Sequence, residues 1–505
     1  MKLDFRRLIV LAAALALSAS PALARRPPAA PDLAHMSGAE LTAFTRAMPK
    51  GGELHIHLGG AIFAETLLNW AVQDGACIDI KVLAIRPPCQ PGDQLKPAAE
   101  ALKDDQLRSA MIDSLSVRHP GFMGRSGHDQ FFTAFGRGGF APARTGDALA
   151  ELMAVRAREN TFYLEVMITP QGGASSAIGR QVGWRDDLAG LKAAMSDAGL
   201  EALVPKAMAD TDAIVARARQ VLACDSPEPH PGCAVTVRFL AQTNRATSPA
   251  ETFAQVQLAA ALIARDPRWV GMQLVAPEDS PASGDNYDRD MGMVAFLTDH
   301  GRAVNVALHA GELALEVATP RDLSDHVAKA VRGAGARRVG HGVDIPHEDD
   351  AEGLLSEMAA KHVLVEINLS SNEAILGVKG SEHPYGWLRA RGVPTALSTD
   401  DPGILRIDLS HEYARAAREG ATYADLKASA RNAVAFSFLK GPGLWRDPGR
   451  YRQPGLSCGK ALGQAKPPPG PCADLVTHSD KAKEQWRLEH LITTFEAKVR
   501  RTSTR

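Results

Sequence analysis

Apolar residues along this chain follow two alternating patterns. Short runs of apolar and β-branched residues are separated by longer segments in which apolar positions recur every three or four residues. The first pattern is typical of strands that are buried on both faces, and the second of helices that pack one face on a core. Their alternation predicts repeated β/α units and a parallel sheet.

Eight candidate strands follow from this pattern. They are residues 53–58, 162–167, 235–240, 269–274, 304–309, 337–341, 363–369 and 395–399. Good helix formers lie between them, for example in residues 148–159, 253–264 and 351–362. The sequence therefore predicts an α/β fold, a (β/α)8 TIM barrel. An open doubly wound sheet is the competing fold, but the glycine-rich dinucleotide turn after the first strand is missing.

Two segments depart from the regular alternation. The connection after the first strand, residues 59–161, is far longer than an ordinary loop and must contain structure of its own. Because barrel enzymes keep their active sites at the carboxyl ends of the strands, we expect this insertion on the catalytic face, where it can act as a cap. The barrel is expected to occupy residues 38–440, and residues 441–505 to form a C-terminal extension with a terminal helix.

The first residues resemble a secretory signal peptide. Basic residues precede the apolar run 8–17, and the small residues of Ala22-Leu23-Ala24 supply a cleavage site. The apolar run is too short to span a bilayer. We therefore expect residues 1–24 to be removed, residues 25–37 to form a linker, and the mature protein to be secreted or periplasmic, without a membrane segment.

The cysteine spacing fits an exported protein. Six cysteines form three near-neighbour couples, Cys77 with Cys89, Cys224 with Cys233, and Cys458 with Cys472. An oxidising compartment makes disulfides the default interpretation. A thiolate zinc site is disfavoured because no C-x-x-C spacing occurs.

Overall charge narrows the choice of partners. The chain has 57 Lys+Arg against 58 Asp+Glu, a formal net charge of −1, and 45% hydrophobic residues. This composition is typical of a globular protein, and it lacks the basic excess of nucleic-acid or membrane-surface binders. We expect a small-molecule partner.

Candidate catalytic residues cluster at strand ends. His55 and His57 alternate along the first strand, so both imidazoles share one face. His309 ends the fifth strand, and His341 ends the sixth. Each could be a structural histidine on its own, but all of them fall on the face where barrel enzymes hold their chemistry.

Carboxylates accompany these histidines. Glu312 lies just past the fifth strand, and Asp400 and Asp401 end the eighth. Three histidines and an aspartate form a nitrogen and oxygen set that suits zinc and leaves a position for water. Zinc lowers the pKa of such a water towards neutrality. Histidines away from the strand ends, among them His128, His326 and His383, are interpreted as surface or structural residues.

Four segments carry a resemblance to a known family. MPKGGELHIHLGGA (48–61), LHAGE (308–312), RVGHGVD (338–344) and STDDPG (398–403) occur in this order. They closely resemble the adenosine deaminase family of metal-dependent amidohydrolases, and the match covers most of residues 45–440. The sequence is most similar to the exported, growth-factor-related branch of that family.

The resemblance implies a role for each matched position. The implied zinc ligands are His55, His57, His309 and Asp400. Glu312 would protonate the purine at N1, while His341 would orient the attacking water and help to deprotonate it. Asp401 would hydrogen-bond the purine N7. The implied reaction converts adenosine or 2′-deoxyadenosine to inosine, or its deoxy form, and ammonia.

Two positions depart from the family pattern. Gly59 stands where many members have an acidic residue that contacts the ribose, and Ala276 where they have a glycine whose amide meets the purine. Deamination of another aminopurine or amino-heterocycle therefore stays open, as does a non-catalytic exported nucleoside-binding protein. Residues 59–161 either close over the site or mediate contacts in a homodimer.

Overall fold

The part of the chain described by the structure, a computed structural model, comprises residues 31–90, 92–118, 124–455 and 458–503. The expected signal peptide and the first part of the linker, up to residue 30, lie outside these residues. Ser37 begins the first long helix with a capping box, in which its side chain and that of Glu40 bond each other's backbone amides.

Strands of the described residues form two sheets. Their bounds are β1 (Gly51–His57), β2 (Ala76–Asp79), β3 (Ala84–Pro88), β4 (Lys96–Pro97), β5 (Thr161–Ile168), β6 (Thr236–Asn244), β7 (Trp269–Val275), β8 (Val306–Ala310), β9 (Arg338–His341), β10 (Leu364–Ile367) and β11 (Thr395–Leu397). The larger sheet has the order β1-β5-β6-β7-β8-β9-β10-β11, and all its paired neighbours are parallel.

The larger sheet closes on itself between β11 and β1. Ile56 and Asp400 form a parallel bridge. The amide of His57 donates to the Asp400 carbonyl over 3.0 Å, and the Asp400 amide donates to the His55 carbonyl over 3.2 Å. Each of the eight strands overlaps a predicted one, so the (β/α)8 barrel predicted from hydrophobic alternation is confirmed.

Helices of the described residues connect and surround the strands. They are α1 (Gly38–Ala47), α2 (Ala64–Gln73), α3 (Ala98–Ala101), α4 (Asp105–Ser114), α5 (Gly127–Arg137), α6 (Thr145–Arg158), α7 (Gly172–Val182), α8 (Leu188–Asp197), α9 (Leu203–Val221), α10 (Pro249–Ile263), α11 (Pro281–Thr298), α12 (His326–Ala328), α13 (Ala351–Lys361), α14 (Leu369–Leu376), α15 (Tyr385–Ala390), α16 (Pro402–Leu405), α17 (Leu409–Arg418), α18 (Tyr423–Ala435), α19 (Pro471–His478) and α20 (Asp480–Ser503). No helix of the described residues is long and apolar enough to cross a membrane.

The long connection after β1 contains a small sheet and several helices. Strands β2, β3 and β4 pair in the antiparallel order β3-β2-β4, and a cluster of buried apolar side chains joins this sheet to α2, α3 and α4. Helix α5 then packs against α14 and α16, which follow strands of the barrel. The connection is thereby held to the catalytic face of the barrel.

The expected cysteine pairs are present as disulfides. Cys77–Cys89 links the ends of β2 and β3, Cys224–Cys233 closes the turn after α9, and Cys458–Cys472 joins the loop before α19 to that helix. In the same C-terminal region, α20 buries Leu488, Ile492 and Phe495 along one face. This face packs on α18, α1 and the start of β1.

Candidate active site

Four side chains converge at the carboxyl end of the barrel as a candidate metal centre. Strand β1 supplies His55 and His57, strand β8 supplies His309, and the segment after β11 supplies Asp400. One ligand atom of each lies within 4.8 Å of the others. The Asp400 Oδ1 atom is 3.3 Å from His55 Nε2 and 3.2 Å from His57 Nε2. Three imidazole nitrogens and one carboxylate at this spacing fit a divalent metal such as zinc.

Neighbouring polar groups fix how the imidazoles face this centre. Glu366, on β10, accepts from Nδ1 of His55 over 2.7 Å, and Gln242, on β6, from Nδ1 of His57 over 2.8 Å. Both bonds leave Nε2 directed at the cluster, as metal-binding histidines require. The buried Nε2 of His55 has no hydrogen-bond partner among the described residues, as expected for an atom that binds a metal.

Glu366 and Gln242 were missed by the sequence interpretation. Each sits in an apolar strand, as the single polar residue in LVEI and as the amide in LAQT. A charged residue in a strand buried on both faces is rare unless it is paired. That rule could have singled out Glu366 beforehand, although not its partner.

His341 and Glu312 lie beside the ligand cluster. The His341 ring is 4.9 Å from that of His55 and 5.1 Å from that of His309, between centroids. The Asn372 amide donates to His341 Nδ1 over 2.9 Å, and its oxygen accepts from His383 Nε2 over 3.0 Å. Because Nδ1 of His341 accepts a hydrogen bond, the proton of the neutral ring lies on Nε2. His383 is thus a buried positioning residue.

A buried carboxylate holds the backbone of Glu312. The amides of Gly311 and Glu312 donate to the two oxygens of Glu278, over 3.1 and 2.9 Å. His326 Nδ1 donates to the same carboxylate over 2.6 Å, and its ring stacks on Tyr287 with centroids 3.7 Å apart. The turn after β8 is therefore fixed, and His326 is structural, as predicted.

The pKa values of the carboxyl groups in the site are shifted in opposite directions. Burial, reinforced by the nearby carboxylate of Asp400, raises the pKa values of Glu312 and Asp401 well above their usual range. Burial also opposes ionisation of Asp400, but its interaction with the adjacent imidazoles of His55 and His57 outweighs burial and holds its pKa well below normal. The site thus combines an ionised carboxylate with carboxyl groups that retain a proton.

A cavity of about 410 Å³ opens above these groups, and we call it the site cavity. Its lining includes His57, His309, Asp400, Glu312, Asp401, Gly59, Ala276, Gln242 and the aromatic rings of Phe131, Phe132 and Phe135. The rings belong to α5, in the connection after β1. All three residues expected to contact substrate line this cavity, whereas His341 lies buried beside the ligands.

The two glycines after His57 have different surroundings. A side chain at Gly60 would collide with Asp401, since a Cβ there would lie 1.7 Å from Asp401 Oδ1. Gly59 is exposed, and no atom lies within 4 Å of the position of its missing Cβ. Gly60 therefore makes room for Asp401, while Gly59 leaves space open at the cavity wall.

Comparison with known sequences finds matches to adenosine deaminases and a related deaminase. A sequence model of the family described as adenosine deaminase matches residues 145–443, more than half of the chain. The adenosine deaminase of Shewanella loihica is 32% identical over 152 residues, 29% of this chain and 43% of that protein. The aminodeoxyfutalosine deaminase of Streptomyces coelicolor is 34% identical over 147 residues, 29% of this chain and 36% of that protein. The matched part spans less than half of each relative.

Solved structures share the fold at low identity. Arabidopsis ADAL in complex with IMP is 22% identical with a TM-score of 0.51, and the match covers 79% of this chain and 94% of that one. A zinc-bound amidohydrolase from Burkholderia ambifaria is 19% identical with a TM-score of 0.50, over 80% of this chain and 89% of that one. These likenesses support the barrel architecture.

Proposed function

This chain belongs to the adenosine deaminase family, and from this premise we propose that it deaminates a 6-aminopurine nucleoside by hydrolysis. Adenosine or 2′-deoxyadenosine is the proposed substrate, and inosine or its deoxy form and ammonia are the products. One observation carries the proposal. A three-histidine, one-aspartate cluster lies under the same cavity as Glu312 and Asp401.

Zinc is the metal we propose, held by His55, His57, His309 and Asp400. A bound zinc ion lowers the pKa of water and so supplies a nucleophile near neutral pH. The sequence offers this donor set without a competing thiolate, because all six cysteines are in disulfides. Glu366 and Gln242 keep the two β1 histidines in the tautomer that can bind the metal.

The remaining groups of the site have distinct proposed roles. Glu312 donates a proton to N1 of the purine, which makes C6 a better electrophile. The resemblance also gives His341 a part in deprotonating the water, but a neutral ring with its proton on Nε2 can only donate there. We therefore propose that His341 donates from Nε2 to the oxygen that attacks C6 and so orients it. Asp401 hydrogen-bonds N7 and fixes the orientation of the ring. The aromatic rings of α5 cover the purine and exclude water, so we propose that residues 59–161 act as a cap.

An ultraviolet assay tests this function directly. The zinc-loaded protein is incubated with adenosine, and with adenine, AMP and N6-methyladenosine for comparison. We expect conversion of adenosine, together with a loss of about 10² to 10⁴ in kcat for Glu312→Gln. Equal zinc content in both proteins is the control. Retention of near-wild-type turnover by Glu312→Gln would remove Glu312 from the mechanism.

A second candidate function changes the substrate. Gly59 offers no side chain to a sugar hydroxyl, and a matched relative is an aminodeoxyfutalosine deaminase. Another aminopurine or amino-heterocycle would then be the substrate. Bound zinc without conversion of adenosine would favour this alternative, or a non-catalytic nucleoside-binding protein if no aminopurine were converted.

We also propose export to the periplasm or the medium, as in the growth-factor-related branch. Three disulfides support an oxidising compartment. Mass spectrometry of the protein recovered after export should find an N-terminus at Arg25. An intact Met1 on that protein would contradict the cleavage site. A homodimer stays a prediction.

A further inference from the structure

A second cavity of about 690 Å³ adjoins the site cavity, and we call it the side cavity. It lies at the carboxyl ends of β1, β5 and β6, between α6 and α9. Gly59 and Gln242 line both cavities. Gln242 also bonds the candidate ligand His57, so the side cavity begins directly beside the candidate metal centre.

Gly59 keeps the boundary between the two cavities open. The residue is exposed, and an added Cβ would meet no atom within 4 Å. Any larger residue would project its side chain into this free space. A molecule bound in the site cavity can therefore extend past Gly59 into the side cavity.

The walls of the side cavity favour an uncharged ligand group. Its apolar lining includes Leu58, Phe140, Met167, Ile168, Ile214 and Trp269. The charged residues that line it are already paired, Arg217 with Asp147 over 2.5 Å, and Asp210 with Gln171. Because the Arg217 guanidinium is already paired, these lining residues offer no free cation that could neutralise a phosphate.

The orientation of a bound purine connects the two cavities. Glu312 follows β8 and Gly59 follows β1, and these strands are four positions apart in the ring of eight. A purine with N1 at Glu312 and C6 over the metal ligands directs N9, at the far end of its ring system, towards the β1 side. The group attached at N9 then approaches Gly59.

We propose that the side cavity binds an uncharged, largely apolar substituent on the sugar of a 6-aminopurine nucleoside. This inference rests on the proposed function, and it names the substrate class of the same site. Such a nucleoside buries its substituent against the apolar wall, while its amino group remains over the metal ligands. Adenosine itself leaves most of the side cavity to water.

Substrate comparison tests the inference. The zinc-loaded wild-type protein is assayed with adenosine, AMP and 5′-S-benzyl-5′-thioadenosine, whose benzyl group is uncharged and apolar. We expect kcat/KM for the benzylthio nucleoside to exceed that for adenosine by at least about tenfold, mostly through KM, because apolar groups gain this much in a matching pocket. AMP should be the poorest of the three substrates.

Two variants of α9 locate the effect. Ala213 is exposed and lines the side cavity, so Ala213→Trp should fill it and bring the ratio of the two kcat/KM values close to one. Ala216 is exposed on the same helix but is not part of this lining. Ala216→Trp is the matched control and should keep the wild-type ratio.

Two results would overturn the inference while the proposed function stands. One is conversion of adenosine or AMP at least as efficiently as the benzylthio nucleoside. The other is an Ala213→Trp protein that retains the preference. Failure to convert any of the three compounds with zinc bound would instead refute the proposed function, and the inference with it.

Discussion

Glu366 should control metal affinity through His55, and Glu366→Gln tests this role. The Glu366 carboxylate is fully buried. It accepts a hydrogen bond from His55 Nδ1 over 2.7 Å and forms an ion pair with Arg338, whose Nε is 2.7 Å away. A glutamine side chain has one oxygen and one amide group, so it can accept from only one of these partners through its oxygen. Arg338 loses a carboxylate in either orientation of the amide, and His55 is forced into the tautomer whose Nε2 carries a proton when the NH2 group faces it.

The expected losses of stability and of metal affinity can both be given an order of magnitude. Loss of one partner from a buried ion pair costs about 3–5 kcal/mol of stability when the other charge is left alone, and this range is an upper bound here because Arg338 keeps Glu165 as a partner. Replacement of a group that orients a metal-binding histidine costs about 10–100-fold in metal affinity or activity. We therefore expect Glu366→Gln to lower both the unfolding free energy of the metal-free protein and its affinity for zinc.

A matched control separates these two effects. Glu165 is also fully buried and pairs with the same arginine, Arg338, at 2.6 Å, but its described hydrogen bonds are with Tyr163 and the Phe438 amide. Glu165→Gln should destabilise the protein to a similar extent and leave zinc affinity near the wild-type value. Denaturant unfolding measures stability, and competition with a chelator measures affinity. Equal loss of zinc affinity in the two variants would refute the orienting role of Glu366.

Three further predictions concern the site and its surroundings. Gly60→Ala should reduce activity strongly and cost about 1–3 kcal/mol of stability, because the added Cβ overpacks against Asp401. The control variant Gly59→Ala should fold normally. Thermal unfolding and turnover measure these effects. Removal of the metal should lower the unfolding free energy, by about 4 kcal/mol relative to metal at a thousandfold excess over its Kd. His128, whose pKa is raised by its hydrogen bond to Asp279, should add less than about 1 kcal/mol. This contribution should be complete below about pH 6.5 and disappear as the pH rises through the folded-state pKa, measured as the difference from His128→Gln.

Each of these expectations has a contrary result. Equal activity of the two glycine variants would mean that Asp401 does not occupy the space next to Gly60. An unchanged melting temperature after complete metal removal would mean that a cation held by the four ligands does not stabilise the folded protein. If the stabilising effect of His128 grew with pH, the protonated form of His128 would not be the one that stabilises the fold through Asp279.

Local sequence was sufficient to predict the barrel and the convergence of the candidate site residues at one end of it. Hydrophobic periodicity depends on neighbouring residues, and it located all eight barrel strands. In a parallel barrel the carboxyl ends of all strands face the same side. Polar residues at those ends, such as His309 and Asp400, therefore had to lie close together whatever the detailed packing. Cysteines close in sequence, such as Cys77 and Cys89, needed only a short turn to meet.

Only the tertiary structure identified the groups that support the site. Glu366 and His55 are 311 residues apart, and their hydrogen bond depends on the closure of the barrel. His383 had no distinguishing pattern, yet it is buried against Asn372, which holds His341. The side cavity likewise depends on the spacing of α6 and α9 over β5. Sequence periodicity determines which face a residue occupies, but a partner from a distant strand and the space between packed helices are set by how the whole chain closes.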